Sequence, residues 1–181
     1  MTKKMIKKAS RVMNAGGVIA FPTETVFGLG ARIDRPEAVK KIFALKKRPR
    51  NKPLQILVAN LEQARKLGKF DKKALAFAEE NWPGPYTLVV KKTAKVIKVI
   101  TGGRLTVGLR MPDHKVALEL TKKAGPIAAT SANVSGKKPF LTAAQVKKGL
   151  KGLDLVLNGR IRTGQASQVI DATKGFKILR P

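Results

Sequence analysis

An α/β fold, with a twisted mixed sheet flanked by helices, is predicted by two features of the sequence. Apolar, β-rich runs of strand length alternate with stretches whose apolar residues recur at helical intervals. Glycine and proline punctuate the joints, at Gly16-Gly17, Pro22, Pro83-Gly84-Pro85 and Pro112. A third feature sets the organisation. The 181 residues contain no internal repeat and no low-complexity linker, yet suffice to bury a sizeable core, so a single domain over 1–181 is expected.

Each element follows from local pattern. Met5, Ile6, Ala9, Val12 and Met13 form one helical stripe, ended by Gly16-Gly17. The run 18–21, VIAF, reads as a strand cut off by Pro22. Asp34-Arg35-Pro36 opens a helix with proline in its first turn, and Val39, Ile42, Phe43 and Leu45 make its inner face. The stretch 53–59 reads as a strand, and helices follow over 61–67 and 72–81, the second capped by Asp71. Strands are expected at 86–90 and 105–110, then a helix after Pro112-Asp113 that runs to about 123. A strand at 127–130, a helix at 142–149 and three short strands, LDLVL, SQVID and FKILR, close the chain.

Composition excludes several chemistries. With no cysteine there is no disulfide, no thiolate nucleophile and no cysteine-ligated zinc. The basic start, MTKKMIKKASRVMNAGG, lacks the continuous apolar run of a signal peptide, and no stretch approaches the length of a membrane span. A soluble, cytoplasmic protein without a membrane partner is expected. The charge is extreme: 38 Lys and Arg against 11 Asp and Glu give a formal +27. Such a field favours polyanions, RNA among them, although lysines spread along the chain also suit a merely solvated surface. Aromatic residues are only 5%, which leaves little for a base-stacking platform.

Polar residues gather where predicted strands end. PTETVFG (22–28) follows the strand 18–21, Arg110 ends the strand 105–110, and TSANVSG (130–136) follows the strand near 127. In open α/β sheets ligands bind where loops leave the carboxyl ends of strands. Taken singly, Thr23, Glu24 and Thr25, or Ser131 and Asn133, also read as ordinary turn chemistry. ALKKRPRNKPL (44–54) adds cations at a helix end, where they complement the dipole. Pro49 and Pro53 stiffen it, which suits holding Lys46 and Arg48 at fixed positions for phosphates. There is no phosphate-loop motif, GLGARI (28–33) lacks the third glycine of a dinucleotide fingerprint, and the single histidine, His114, reads as structural at a helix start. Without a protein nucleophile or metal cage, an enzyme of this kind must position its substrates and neutralise their charge, as ATP chemistry requires.

The blocks GGVIAFPTETVFGLGA, IFALKKRPRNKPLQILVA, NWPGPYTLVV, VGLRMPDH, GPIAATSANVSG and ASQVID stand in one order from about 10 to 180. In that order the chain resembles the YrdC-like family, which contains the threonylcarbamoyl-AMP synthases, in its short form. The resemblance implies a YrdC-like fold with a large basic concavity. It also implies a reaction, in which L-threonine, bicarbonate and ATP give L-threonylcarbamoyladenylate and pyrophosphate. That is the first step toward N6-threonylcarbamoyladenosine at position 37 of tRNA, completed by downstream threonylcarbamoyl-transferase proteins.

Carried over residue by residue, the resemblance makes Lys46 and Arg48 the catalytic phosphate-binding pair. Ser131, Asn133 and Ser167 become nucleotide contacts, and Thr23, Thr25 and Arg110 contacts for threonine. It implies no metal ligand in the protein, with magnesium held mainly by the ATP phosphates. Phe27, Tyr86 and Gln168 depart from the family's frequent tyrosine, leucine and threonine. Two alternatives stay open at this point. One is a non-catalytic double-stranded RNA- or ribosome-binding protein of the same fold, and the other a carbamoyl-transferring relative.

Overall fold

The computed structural model describes residues 2–181. The order is α1 (Lys3–Asn14), β1 (Ile19–Pro22), β2 (Phe27–Arg32), α2 (Pro36–Lys46), β3 (Gln55–Leu57), α3 (Leu61–Leu67), β4 (Gly68–Lys69) and α4 (Lys72–Asn81). There follow β5 (Tyr86–Lys92), α5 (Lys98–Thr101), β6 (Thr106–Arg110), α6 (Lys115–Ala124), β7 (Ile127–Ser131), α7 (Ala143–Gly149), β8 (Leu155–Val156), β9 (Gln168–Asp171) and β10 (Lys177–Arg180). The strands form one sheet in the order β10-β9-β5-β6-β3-β7-β2-β1-β8, with β4 paired to β5 beside this path. The β1–β8, β3–β6 and β5–β9 pairs are parallel and the others antiparallel, so the sheet is mixed as expected.

Local chemistry explains the helix ends. Gly16 takes φ +86°, a left-handed turn that closes α1. Asp71 accepts a hydrogen bond from the Ala74 amide at the start of α4. Thr142 and Gln145 form a reciprocal capping box on α7. His114 caps α6, its Nδ1 accepting from the Val116 amide while Nε2 donates to the Arg160 carbonyl.

Alternation along the strands sends side chains to two faces. One face carries Ala20, Leu29, Ile56, Leu88, Leu109 and Ile170, and it is covered by α2, α3, α4 and α7 through residues such as Val39, Ile42, Ala64, Ala78 and Val146. On the other face Ile19, Phe21, Leu57, Ile127 and Ala129 pack beneath α1 and α6, against Ile6, Ala9, Met13, Ala117 and Leu120. That cover ends at β3. Beyond it, over β3, β6, β5 and β9, the same face is open.

Three elements were not expected. β2 lies within 22–33, which read as a loop and a rejected glycine motif. Its alternating glycines disguise a strand whose sides are too crowded for side chains: a Cβ on Gly30 would stand 2.6 Å from Ile127 Cγ2 and 2.9 Å from the Ala128 carbonyl oxygen. β4 and α5, of two and four residues, are too short to generate a period. The expected strands 53–59 and LDLVL shrink to three and two paired residues.

Candidate active site

A cavity of about 420 Å³ lies across the open half-face of the sheet. Its floor follows the strand register. Gln55 on β3 stands opposite Ala129 on β7 and Gly108 on β6, and Gly108 stands opposite Val89, itself opposite Asp171 on β9. The walls come from Thr25 and Val26 of the β1–β2 turn, from Arg48 and Lys52, and from Arg104, Arg110 and Arg180. Five cations thus line a space whose lining holds one carboxylate, Asp171. That carboxylate accepts from the amide and hydroxyl of Thr173 at 2.9 and 2.6 Å.

The site is not built at the carboxyl ends of parallel strands. β6 runs parallel to β3, which is antiparallel to β7, so the ends of β6 and β7 leave the sheet at opposite edges. Side chains on one face, not loops on one edge, bring the residues together.

Of the residues expected from the sequence, Thr25, Arg48, Arg110, Ser131 and Ser167 line the cavity. Lys46, Asn133 and Thr23 stand behind its wall. Lys46 is 1% exposed, and its Nζ donates to the carbonyls of Ser131 (2.5 Å) and Asn133 (2.7 Å) and to Asn133 Oδ1 (2.8 Å). Those three bonds use every proton of the ammonium. Asn133 Oδ1 also accepts from the Ser131 hydroxyl at 2.7 Å. Lys46 therefore pins the loop that carries Ser131. Burial, with the Arg48 charge second, pulls its pKa down to about 7.

Arg48 is held by the carbonyls of Lys52 and Pro53, at 3.2 and 2.8 Å, so its guanidinium is fixed at the rim. Burial lowers its pKa, and the nearby Arg180 charge adds to that. Arg110 is buried; Nη2 donates to Glu24 Oε1 at 2.5 Å and to Thr25 Oγ1 at 3.0 Å, and Nε donates to the Gly84 carbonyl at 3.2 Å. Burial pulls Arg110 down in pKa while Glu24 opposes it. The second Glu24 oxygen, Oε2, is buried with no hydrogen-bond partner. Thr23 shapes this turn: its hydroxyl donates to the Val26 carbonyl and accepts from the amides of Thr25 and Val26. The segment 162–164 straps the turn down through amides that bond the carbonyls of Glu24 and Thr25.

Sequence reasoning missed Gln55, Lys52, Thr87, Arg104 and Arg180 as cavity residues. The available signal was a polar side chain inside an apolar run, as in PLQILVA and YTLVV. Arg180 donates to the carbonyl and hydroxyl of Ser167 at 2.6 and 3.1 Å, joining the last strand to the site. Phe27, Tyr86 and Gln168 lie outside the cavity lining. Phe27 is in the core beneath α2, and Tyr86 meets Phe77 edge-on with centroids 5.7 Å apart.

A model of the Sua5, YciO and YrdC proteins, described as "Telomere recombination", matches residues 11–181. The chain belongs to the Sua5/YciO/YrdC family. Within that family it is 44% identical over 178 residues to the threonylcarbamoyl-AMP synthase of Pyrococcus abyssi, covering 96% of this chain and 52% of that protein. The synthase of Pseudomonas putida KT2440 is 35% identical over 178 residues, with 97% and 96% covered. The chain thus spans about half the length of the first curated relatives it matches and nearly all of the Pseudomonas protein. Among solved Sua5/YciO/YrdC structures, P. abyssi Sua5 complexed with L-threonine superposes at a TM-score of 0.96 with 42% identity, over 100% of this chain and 55% of that one. Escherichia coli YciO superposes at 0.86 with 26% identity, over 99% and 89%.

Proposed function

We propose that the chain acts as a unit spanning 1–181 to make L-threonylcarbamoyladenylate and pyrophosphate from L-threonine, bicarbonate and ATP. The observation that carries this reading is the cavity itself, whose lining joins five cations to neutral hydroxyl and amide side chains such as Gln55, Thr87, Ser131 and Ser167. Its volume, about 420 Å³, lies within the usual range of small-molecule sites. Threonine's amine takes up bicarbonate to give a carbamate and water. The carbamate oxygen attacks the α-phosphorus of ATP, and the bond to the leaving pyrophosphate breaks. Both partners are anions, so charge neutralisation dominates the barrier.

Arg48, at the rim, meets the phosphates, and Ser131 and Ser167 contact the nucleotide. Lys46 and Asn133 hold the Ser131 loop against it. Arg110 and Thr25 receive the threonine carboxylate and hydroxyl, on a turn shaped by Thr23. The cavity does not fit a resident metal: its donors are guanidinium-rich, and no group of three metal-ligating side chains exists among the described residues. Magnesium would therefore arrive on ATP as part of the substrate.

The product would pass to threonylcarbamoyl-transferase proteins that modify position 37 of tRNA in the cytoplasm. No helix among the described residues is long and apolar enough to cross a membrane. Eight exposed Lys and Arg on α1 and α6, Lys3, Lys4, Lys7, Lys8, Arg11, Lys115, Lys122 and Lys123, support an encounter with tRNA.

The test is pyrophosphate release from magnesium-ATP with threonine and bicarbonate omitted in turn, and with serine in place of threonine. Release should require both co-substrates and favour threonine. Arg48→Ala should lose about 100- to 1000-fold in turnover, and Lys46→Ala, which frees the Ser131 loop from its three bonds, should lower turnover through that loop. Wild-type rates from either variant would overturn the site assignment, and no release from the unmodified protein would overturn the reaction.

A further inference from the structure

We propose that Gln55 binds substrate, its side-chain amide donating to the carbamate carboxylate formed on the amino acid, and that Thr87 and Ser167 fix it in that orientation. The inference rests on the reaction proposed above. Its first support is position. β3 lies between β6 and β7, and on the cavity face Arg110 stands one row from Gln55 on β6. Ser131 stands one row from it in the other direction, on β7. Rows on one face of a strand are about 7 Å apart. The Gln55 amide therefore occupies the middle ground between the residue assigned to the amino acid and the residue assigned to the nucleotide. The carbamate is the group that must join those two.

The second support is a directional hydrogen-bond chain. Arginine only donates, and Arg180 Nη2 donates to Ser167 Oγ at 3.1 Å. Thr87 Oγ1 donates to Gln55 Oε1 at 2.7 Å, which commits its one proton. The 3.0 Å contact between Thr87 Oγ1 and Ser167 Oγ must then use the Ser167 proton. Donation runs one way, from Arg180 through Ser167 and Thr87, and it ends on the oxygen of Gln55. The Gln55 NH2 group is left with two donors and no partner among the described residues, in a cavity lined by five cationic side chains.

The chain passes over β6 at a glycine. A Cβ on Gly108 would stand 3.0 Å from Thr87 Cγ2 and 3.7 Å from Gln55 Cβ, so the absent side chain keeps the passage open. A neutral amide also suits the task. It orients a carboxylate oxygen but withdraws less of its nucleophilicity than a guanidinium ion pair would.

The test is to measure initial rates of pyrophosphate release against bicarbonate, threonine and ATP separately, in wild type, Gln55→Leu, Gln55→Glu, Thr87→Val and Thr87→Ser. Gln55→Leu should lower kcat/KM for bicarbonate by about 10- to 100-fold, with the ATP dissociation constant within about twofold of wild type. Gln55→Glu, which repels the carbamate, should be at least as impaired. Thr87→Val should lose part of the same parameter, and Thr87→Ser, which restores the hydroxyl, should recover it. In 15N-labelled protein the Gln55 side-chain NH2 signals should move when threonine and bicarbonate are added together with a non-hydrolysable ATP analogue. An active Gln55→Leu enzyme with unchanged bicarbonate dependence, or NH2 signals that do not move, would overturn the role of Gln55 alone. A wild-type protein that releases no pyrophosphate would overturn the underlying reaction instead.

Discussion

Arg110 and Glu24, with side chains 3% and 4% exposed, form the most deeply buried ion pair among the described residues. Removing one partner strands the other charge, which typically costs about 3–5 kcal/mol. Arg110→Met should lose stability on that scale in chemical denaturation, and the double variant with Glu24→Gln should regain much of it. Threonine affinity is then best compared between variants shown to be folded. Lys46 carries a pH signature. A lysine held near 7 in the folded state and near 10.5 when unfolded leaves the unfolded chain holding the extra proton across that window. Stability conferred through this group therefore rises with pH from about 7 toward 10.5 and is flat below. Measured by urea denaturation between pH 7.5 and 9.5, wild type should gain on Lys46→Met by up to about 1.4 kcal/mol per pH unit.

Between elements, fit decides. Gly30→Ala should push β2 from β7, because the atoms in the way include the Ala128 backbone oxygen. A loss of about 1–3 kcal/mol, read from the denaturation midpoint, is expected. At the start of α6, burial lowers the pKa of His114, and its Nδ1 must stay unprotonated to cap the helix. The unfolded state then binds the proton first, so stability falls as pH drops below about 6.5. A His114→Asn variant, which caps without titrating there, should flatten that limb. Most elements were legible because their periodicity is strong: the α1 stripe, the Asp71 cap and the glycine stop all stand as read. β2 was hidden because Gly28 and Gly30 answer to neighbours far away in the chain, which no local pattern records. Likewise the sequence carries the polar residues of the cavity but not their depth. Nothing local distinguishes Lys46, consumed by three bonds behind the wall, from Arg48, which faces the cavity.

For the whole molecule the +27 charge is a standing repulsion. Screening shortens to about 3 Å at 1 M salt from about 10 Å at 0.1 M, so added salt should relieve it. Thermal unfolding followed by circular dichroism should show Tm rising between about 0.05 and 0.5 M sodium chloride, and ATP association slowing over the same range. The site's five lining cations were only partly foreseeable, since Arg104 and Arg180 look like any others among 38 basic residues until the sheet brings them to one face. The open half-face has a consequence for how this protein changes over time. Along β3, β5 and β6, core and cavity alternate residue by residue: Ile56, Leu88 and Leu109 belong to the core, while Gln55, Thr87, Val89, Gly108 and Arg110 face the cavity. Two selective pressures are thus interleaved at single-codon spacing. A lineage, or a laboratory library confined to the cavity-facing codons, can explore new amino-acid specificities while the intervening codons go on encoding the same folded wall.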